Sequence, residues 1–493
     1  MKASHGPPTP AGRVAPGAGP DADPPTRALV ESGHSMGVFY IESPATRQLL
    51  LKMGTVDYRR LVAASSIIRP AANKWINEYL RRLHGGRWRR LPAAVEETLR
   101  ETYGIMVYQE DVSRVAMAAA GFDAVLADGL RKVLTKKRKG GALEDFKGRF
   151  LSGCAASGID DRDSGELWDM MLSFDGYSFC KAHSASYAVV SWRLAWLKAH
   201  HPAAFMASVI NNGGGFYGVQ AYLGEARRLG IGILPPHVNA SAAEYRVEGR
   251  SLRMGLSQLG ELSRSTLDRI LTARGRGFSS LAEFEARVQP KLPELRSLVR
   301  SGCLDGLPAT AGGPPLGRPQ ALWALHRIRE RAGKGQAPGL ELIADVWEPP
   351  SWIKDYAAPT RLADEAKFLG LVIGGLPSAL FEGRARLVAT RRGLPTPVSS
   401  SQLASAADRR MCLAGTTVAG KEVGTKNGTS MAFYTFEDEG GLFETVFFPK
   451  AYAKALPTLE GNTAILMVGT AHSEYGAVSL HVEEAFGLNR PDQ

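Results

Sequence analysis

The stretch GYSFCKAHSASYAVVSWRLAWLKAHHP, residues 176–202, is where a turn gives way to a long helix. Its first half carries a thiol, a lysine and a histidine among aromatic residues, and its second half mixes small and bulky apolar residues. His183 stands at the predicted helix start, where backbone N–H groups lack partners, and Pro202 marks the end. Apolar residues at helical spacing are expected to share one buried face: Tyr187, Val190, Leu194 and Leu197. The stretch therefore predicts a packed helix that presents Lys181 and His183 away from the core.

The composition favours a globular protein of several domains with an acidic partner. The chain has 493 residues, 44% hydrophobic content and a formal net charge of +11. Nucleic acid is the commonest acidic partner of a basic protein, and a basic protein that is merely soluble is the alternative. No apolar run reaches the ~18 residues of a membrane span, and no signal peptide is apparent. Four widely spaced cysteines suggest a reduced, cytoplasmic setting without zinc: Cys154, Cys180, Cys303 and Cys412.

The pattern along the chain predicts a multidomain α+β protein. Residues 1–28 are dense in proline and glycine and are interpreted as a disordered arm, and residues 29–212 read mostly as helices. Residues 213–306 combine extended pieces with short helices closed by glycine. Residues 307–409 are interpreted as a linker and connecting segment.

From Arg410 the pattern becomes β. Strand-like runs alternate with N-G, G-G and E-G turns, and one helix-like insert spans Ala451 to Leu459. Five strands with one helical insert predict a small OB-type barrel over residues 410–488.

Cations concentrate in two places of the helical part. Arg69 follows ASSII and is followed by the run RRLHGGRWRR, residues 81–90; a second run, RKVLTKKRK, starts at Arg131. Polyanions need this density of cations, although a solvated charge run is the simpler alternative. His183 has a similar alternative as a capping or packed histidine. No P-loop, Gly-x-Ser-x-Gly or His-Glu-x-x-His motif is present.

Seven ordered motifs resemble the bacterial DNA polymerase III alpha subunit family: SMGVFYIESPATRQLL, ASSIIRP, LRETYGIMVYQEDV, DGLRKVLTKK, FDGYSFCKAHSASYA, WLKAHHPAAFMASVI and EARRLGIGILPPHVN. FYIESPA, SFCKAHSASYA and NNGGGFY are similar to its error-prone branch. The resemblance covers about residues 35–305 strongly and 361–487 more weakly. It implies a polymerase fingers domain over 29–212, a helix-hairpin-helix region over 213–306 and an OB domain that meets single-stranded template.

The resemblance also implies contacts with an incoming dNTP. Six residues are the expected nucleotide-binding set: Arg69, Arg131, Lys132, Lys136, Lys181 and His183. Where the family's motif has two arginines, this chain has Arg131 followed by Lys132, and lysine lacks the planar fork of arginine.

Primer-template and single-stranded DNA are the expected partners. Nine residues are the expected DNA contacts: Arg87, Arg89, Arg90, Tyr177, Lys421, Lys426, Tyr434, Phe436 and Phe443. The last three are candidates for base stacking, with a place in the barrel core as the alternative for at least two of them. The hairpin turn LGELS, residues 259–263, lacks the paired glycines that let backbone approach phosphate, so the OB domain is expected to dominate.

Family members carry PHP and palm domains before the fingers, and the palm holds three aspartates that bind Mg²⁺. In the corresponding place this chain has its proline-rich arm, whose Asp21 and Asp23 are not expected to serve. The chain alone is therefore expected to be inactive, with no catalytic or metal-binding residue and no cofactor of its own. It is interpreted as a fragment or half of a polymerase: a truncated gene product, the product of a mis-called start, or one half of a split enzyme whose palm is on a separate polypeptide. The alternative is a non-catalytic DNA-binding or scaffold protein derived from that polymerase.

QALWAL, residues 320–325, is a weaker candidate for binding a sliding clamp, with an ordinary amphipathic helix as the alternative.

Overall fold

A computed structural model describes residues 22–69, 72–135, 141–174, 180–333, 349–350, 352–425 and 427–489. The chain forms two compact units. The first runs to His200 and includes Glu474–Ala477, and the second comprises His201–Ser473 and Val478 onward. None of the described helices is long and apolar enough to cross a membrane.

The first unit is helical. Its helices are α1 (Pro24–Glu31), α2 (Pro44–Met53), α3 (Tyr58–Ile67), α4 (Asn73–Leu83), α5 (Ala93–Thr98), α6 (Gln109–Ala120), α7 (Ala124–Thr135), α8 (Ala142–Ala156), α9 (Asp161–Leu172) and α10 (Lys181–His200). Side-chain caps define several helix starts, since Ser43, Asp57 and Asp160 each accept the backbone N–H of the residue three positions later. The core centres on α6, which packs against α7 and α8, and on α10, which packs against α1 and α3.

The predicted disordered arm is too long by several residues. Asp23 accepts the backbone N–H of Thr26 at 2.9 Å and caps α1, which begins at Pro24. Two prolines in the first turn suit a helix start, because their fixed φ is helical and the N–H they lack would have no partner there. Residues 1–21 of the predicted arm, including Asp21, lie outside the described residues.

Helix α10 is where predicted, but the buried face is a different one. Val190 and Leu197 are 40% and 38% exposed. The buried residues are mostly small: Ser184, Ala188, Ser191, Trp192, Ala195 and Lys198. Small side chains let α1 and α3 approach α10 closely, and Lys198 is accommodated because its ammonium donates to the carbonyls of His34 and Met36, at 2.6 and 2.9 Å.

The second unit begins with mixed elements. They are α11 (Pro202–Asn212), α12 (Val219–Arg228), β1 (Gly232–Leu234), β2 (Arg246–Glu248), β3 (Ser251–Arg253), α13 (Arg264–Ala273), α14 (Leu281–Val288) and α15 (Leu292–Arg300). The three short strands form one sheet in the order β1-β3-β2. The predicted extended pieces and the short helices that follow them are present.

The connecting segment contains more structure than predicted. Besides α16 (Arg318–Gly333), it holds α17 (Ala358–Leu369) and α18 (Glu382–Arg391). Helix α17 is tied to α15 by a bidentate pair between Arg300 and Asp364, at 2.5 and 2.6 Å. Helix α18 buries Ala385, Val388 and Ala389 against the outside of the barrel. Residues 334–348 of this segment lie outside the described residues.

The barrel closes as predicted. Its elements are β4 (Arg410–Gly424), β5 (Ser430–Asp438), β6 (Gly441–Phe447), α19 (Pro449–Gly461), β7 (Ala464–Glu474) and β8 (Ala477–Gly487). The strand order is β4-β5-β6-β8-β7, closed by antiparallel pairing of β7 with β4, and β6 pairs with β8 in parallel. This is the five-stranded Greek-key barrel of the OB fold, with α19 in the place of the predicted insert. The predicted α+β architecture is confirmed.

Candidate nucleic-acid interface

The start of α10 is held by carboxylates. The backbone N–H of Lys181 donates to both oxygens of Glu110, at 3.0 and 3.1 Å, so Glu110 satisfies the first turn of the helix. The Lys181 ammonium donates to Glu101 at 2.5 Å and lies 4.7 Å from the ring centre of Tyr108. Lys181 is half-buried and ion-paired, so a phosphate would have to displace Glu101 to reach it.

His183 belongs to an aromatic cluster. Its ring lies 4.4 Å from that of Tyr187 and 6.1 Å from that of Tyr40, edge-on to both. Tyr40 stacks on Tyr187 at 5.0 Å and has a φ of 72°, a conformation uncommon for a tyrosine. Phe39, 49% exposed, completes the cluster. His183 and Lys181 are thus brought together on the first turn of α10, with rings on one side and carboxylates on the other.

The cations of α7 share one carboxylate. Arg131 donates to Asp128 at 2.6 and 2.9 Å, and the Lys132 ammonium lies 2.7 Å from the same side chain. These hydrogen bonds lower the pKa of Asp128. Lys136, the third predicted cation of this run, lies outside the described residues.

Arg69 is a packing residue in this structure. It is 3% exposed, donates to the carbonyl of Met106 at 3.1 Å and places its guanidinium 3.6 Å from the ring centre of Phe174. The prediction that Arg69 contacts a nucleotide therefore needs correction, because its charged group is enclosed by the domain.

Part of the basic run 81–90, which was predicted to contact DNA, is already engaged in ion pairs. Arg89 pairs with Asp160 at 2.6 Å and Asp163 at 3.2 Å, and Arg90, whose side chain is 87% exposed, lies 4.0 Å from Glu96. Arg87 is exposed, and no ion pair is found for it among the described residues. Tyr177, the aromatic residue predicted to contact DNA, lies outside the described residues.

Two of the three residues predicted to stack on bases point into the barrel core. Phe436 and Phe443 are 0% and 4% exposed and stack on each other at 5.9 Å inside the barrel. Tyr434 is half-buried and packs against the same core. The first two rings cannot reach a base without unfolding the barrel, so their prediction as DNA contacts is wrong and the core alternative is correct.

The outward face of the barrel carries a different set of residues. Phe433, 44% exposed, is the cross-strand neighbour of Lys421 on β4 and of Val446 on β6. Val446 in turn pairs with His481 on β8. These four residues, Lys421, Phe433, Val446 and His481, form a row across four strands that we call the outer row. Aromatic rings on a sheet beside an exposed cation are the features that single-strand binders use.

Two further rings extend the outer row. His472 stacks on His481 at 4.7 Å, and Phe448, 47% exposed, meets His481 edge-on at 5.1 Å. Burial, and secondarily His472, lowers the pKa of His481, so its imidazole is neutral at neutral pH. Lys421 is exposed, while Lys426 lies outside the described residues. Phe433 and Phe448 were not among the residues predicted from the sequence, although an aromatic residue one position from a core residue is a signal for the opposite face.

The predicted hairpin turn at 259–263 is occupied by a carboxylate of the same chain. Glu294, 3% exposed, accepts the N–H of Ser263 at 3.0 Å, the Ser263 hydroxyl at 2.5 Å and the N–H of Lys291 at 2.7 Å. It also accepts the hydroxyl of Thr266 at 3.0 Å. Burial alone would raise the pKa of Glu294, but these hydrogen bonds outweigh it and lower the pKa to about 2. The start of α13 therefore already holds an anion.

The segment that was a candidate for binding a sliding clamp is part of a packed helix. Leu325 is 0% exposed within α16, and the Gln320 side chain accepts the N–H of Gly317 at 3.0 Å. The alternative of an ordinary packed helix is correct for this segment. Across the described residues, no group of three or more His, Cys, Asp or Glu side chains is arranged to hold a metal.

Comparison with known proteins identifies the family. Residues 10–158 match the model of the bacterial DNA polymerase III alpha subunit finger domain, and residues 230–311 match a helix-hairpin-helix motif. The DNA polymerase III subunit alpha of Thermus aquaticus is 31% identical over 90% of this chain, and that of Deinococcus radiodurans is 29% identical over 96%. The chain belongs to the bacterial DNA polymerase III alpha subunit family. The error-prone DNA polymerase of Anaeromyxobacter dehalogenans is 30% identical over 95% of the chain, so both branches of the family are among its relatives.

The chain spans about two-fifths of the length of these polymerase III relatives, since the alignments cover 37%, 37% and 41% of them. The fingers model ends at residue 158, before α10, whereas the alignments with whole relatives extend across nearly the entire chain. The family prediction is confirmed. The predicted domain limits and the dNTP contacts at Lys181, His183, Arg131 and Lys132 stay predictions.

Proposed function

We propose that this chain forms the DNA- and nucleotide-binding part of a DNA polymerase III alpha-type enzyme that acts in error-prone synthesis during DNA repair. Its first unit, which we call the fingers unit, would bind primer-template DNA and the incoming dNTP, and its OB barrel would hold the single-stranded template. The observation that carries the proposal is the outer row, Lys421, Phe433, Val446 and His481, on an OB barrel in a chain of this family.

In the fingers unit, the triphosphate would be bound at the start of α10 and on α7. Lys181 and His183 offer a cation and a ring on one helical turn, and Arg131 with Lys132 offers two further cations. Each cation is held by a carboxylate, so nucleotide binding would exchange Glu101 and Asp128 for phosphate oxygens. Exposed ion pairs of this kind are worth about 1 kcal/mol or less, which a triphosphate with several charges outweighs.

Phosphoryl transfer in this proposal would use Mg²⁺ held by the aspartates of a family palm domain, whether that domain is part of the same polypeptide or of a separate partner. Two metal ions would stabilise the attacking and leaving oxygens there. The residues of this chain would bind, orient and neutralise the substrates.

The proposal is tested by fluorescence anisotropy of a labelled single strand with the full chain, over a range of salt concentrations. We expect binding that weakens steeply with salt, because neutralised phosphates release counterions. We also expect Phe433→Leu to weaken binding about fivefold or more, because base stacking contributes roughly 1–3 kcal/mol. Phe216→Leu is the control, since Phe216 is a similarly exposed phenylalanine elsewhere in the second unit. Absence of single-strand binding, or equal losses in both variants, would contradict the proposal.

A second candidate function is DNA binding without nucleotide handling. The observation that favours it is the pairing of Lys181, Arg131 and Lys132 with Glu101 and Asp128. Equilibrium dialysis with a labelled dNTP in the presence of primer-template DNA separates the two. Binding that depends on Lys181 supports the polymerase function, and DNA binding without dNTP binding supports the second candidate.

A further inference from the structure

A groove on the barrel lies beside the outer row. It has a volume of about 570 Å³ and is lined by the start of α19 and by strand β8, with the rings of Phe448 and Phe486 among its lining residues. OB folds typically bind nucleic acid on their second and third strands, here β5 and β6. This groove is formed by the fifth strand and the inserted helix instead.

Two rings that line the groove are contacted by neighbouring residues. Phe448 meets His481 edge-on, and the Phe486 ring has the guanidinium of Arg392 4.4 Å from its centre. Arg392 directly follows α18, so the helix that packs on the barrel also supplies this contact. Rings fixed before binding lose little entropy when a base stacks on them.

The charge of the groove is favourable for a polyanion. Lys450 and Lys454, on the first turns of α19, line it and are exposed, and neither ammonium has a carboxylate partner in the described part of the chain. Two carboxylates also line it, Glu483 and Glu484, and the single guanidinium of Arg410 lies 2.9 and 3.9 Å from them, which leaves one of their two charges unbalanced. With Lys450, Lys454 and Arg410 set against the two carboxylates, the groove has an excess of one positive charge.

The groove continues the outer row. Val446 lies on β6 and Phe448 directly follows that strand, and His481 connects the two residues because it pairs with Val446 and contacts the ring of Phe448. A strand that stacks on Phe433 and follows the row meets Phe448 next.

We propose that the α19–β8 groove is a second contact for single-stranded DNA, in which bases stack on Phe448 and Phe486 and Lys450 and Lys454 bind the phosphates. This inference rests on the proposed function, because it extends the path of the same single strand. It assigns the groove to nucleic acid and not to a peptide, because two open ammonium groups line it together with the exposed ring of Phe448 and the half-buried ring of Phe486.

The experiment compares labelled oligothymidines of about 6 and about 16 nucleotides, the range that one OB fold covers. We expect the double variant Phe448→Leu, Lys454→Gln to weaken binding of the longer strand about fivefold or more and to change the shorter strand less than about twofold. Phe216→Leu should leave both unchanged. Circular dichroism melting checks that the barrel is intact. If the double variant misfolds, Phe448→Trp replaces it, and quenching of the added fluorescence by the longer strand alone is the expected result.

The outcomes separate the two claims. If Phe433→Leu weakens binding of both strands while the groove variants bind both like the wild type, or the added tryptophan is not quenched, the groove inference is wrong and the proposed function stands. If the wild-type chain binds neither strand, the proposed function fails and the groove inference fails with it.

Discussion

The start of α10 and the outer row of the barrel are both rich in groups that suit nucleic acid, yet they present them differently. At α10 the cation is held by Glu101 and the helix start by Glu110. On the barrel, Lys421 is exposed without an ion-pair partner in the described chain, beside the open ring of Phe433. If the fingers unit binds phosphate as proposed, it exchanges internal ion pairs for contacts with phosphate, whereas the cation and the ring on the barrel face are already exposed. We therefore expect the barrel to dominate single-strand affinity and the fingers unit to respond to a highly charged ligand.

The largest effect separates the two faces of β5. Phe436→Ala should lower the free energy of unfolding by about 3–5 kcal/mol, because it empties a fully buried ring site in the barrel core. Phe433→Ala should change it by less than about 1 kcal/mol, because Phe433 is exposed. Chemical denaturation followed by circular dichroism measures both. Similar losses in the two variants would mean that the outer row is structural.

The next effect concerns the carboxylate at the start of α13. Glu294→Gln should lower the free energy of unfolding by about 2 kcal/mol at neutral pH. The variant replaces strong hydrogen bonds to a charged carboxylate with weaker ones to a neutral amide. The pKa of Glu294 is lowered to about 2 in the folded state, from an ordinary value of 4.5. Its stabilising contribution is therefore present above pH 4.5 and is lost as the pH falls towards 2. Thermal melting of wild type and variant should converge over that range; a gap that stays constant down to about pH 2 would contradict the assignment.

A smaller effect tests the paired cation at α10. Glu101→Gln should increase the affinity for tripolyphosphate or a dNTP by about three- to tenfold, because Lys181 no longer has to leave a partner. Lys181→Gln should reduce it. Glu97→Gln is the control, since Glu97 pairs with Arg100 on the same segment. Isothermal titration calorimetry gives the affinities, and equal affinities in wild type and Glu101→Gln would show that the ion pair does not compete with phosphate.

The smallest effect tests which face of α10 is buried. Val190→Asp should change the free energy of unfolding by about 0.5 kcal/mol or less, because Val190 is 40% exposed. Ala188→Asp, at a position 1% exposed, should be strongly destabilising. Thermal melting of the two variants checks the contrast, and a severe loss in Val190→Asp would restore the face expected from the sequence.

The sequence predicted the architecture, but it did not predict which face of each helix or strand is buried. Turn residues and strand-like runs predicted the barrel and its inserted helix, because those signals are local. Strand β5 has aromatic residues at 433, 434 and 436, and only the closure of the barrel decides that 436 points inward. Likewise, the buried face of α10 is set by how closely its neighbours approach, which favours Ser184 and Ala188 over the larger Val190.

The candidate sites show the same division. Motifs located the start of α10 and the barrel, but charge pairing depends on side chains distant in sequence, as with Lys181 and Glu101, 80 residues apart. Arg69 and Glu294 also carry charges that the sequence would place at the surface, and both are buried in the fold. Cation counts predict an acidic partner without telling which cations are open to it.

Photo-crosslinking tests the central claim most directly. A single strand carrying 5-iodo-deoxyuridine is bound to the full chain, irradiated and mapped by mass spectrometry. Our account predicts that crosslinks fall on the outer row and its extension, at Phe433, His481 and Phe448. Crosslinks confined to the fingers unit, with none on residues 430–448 or 477–487, would contradict it.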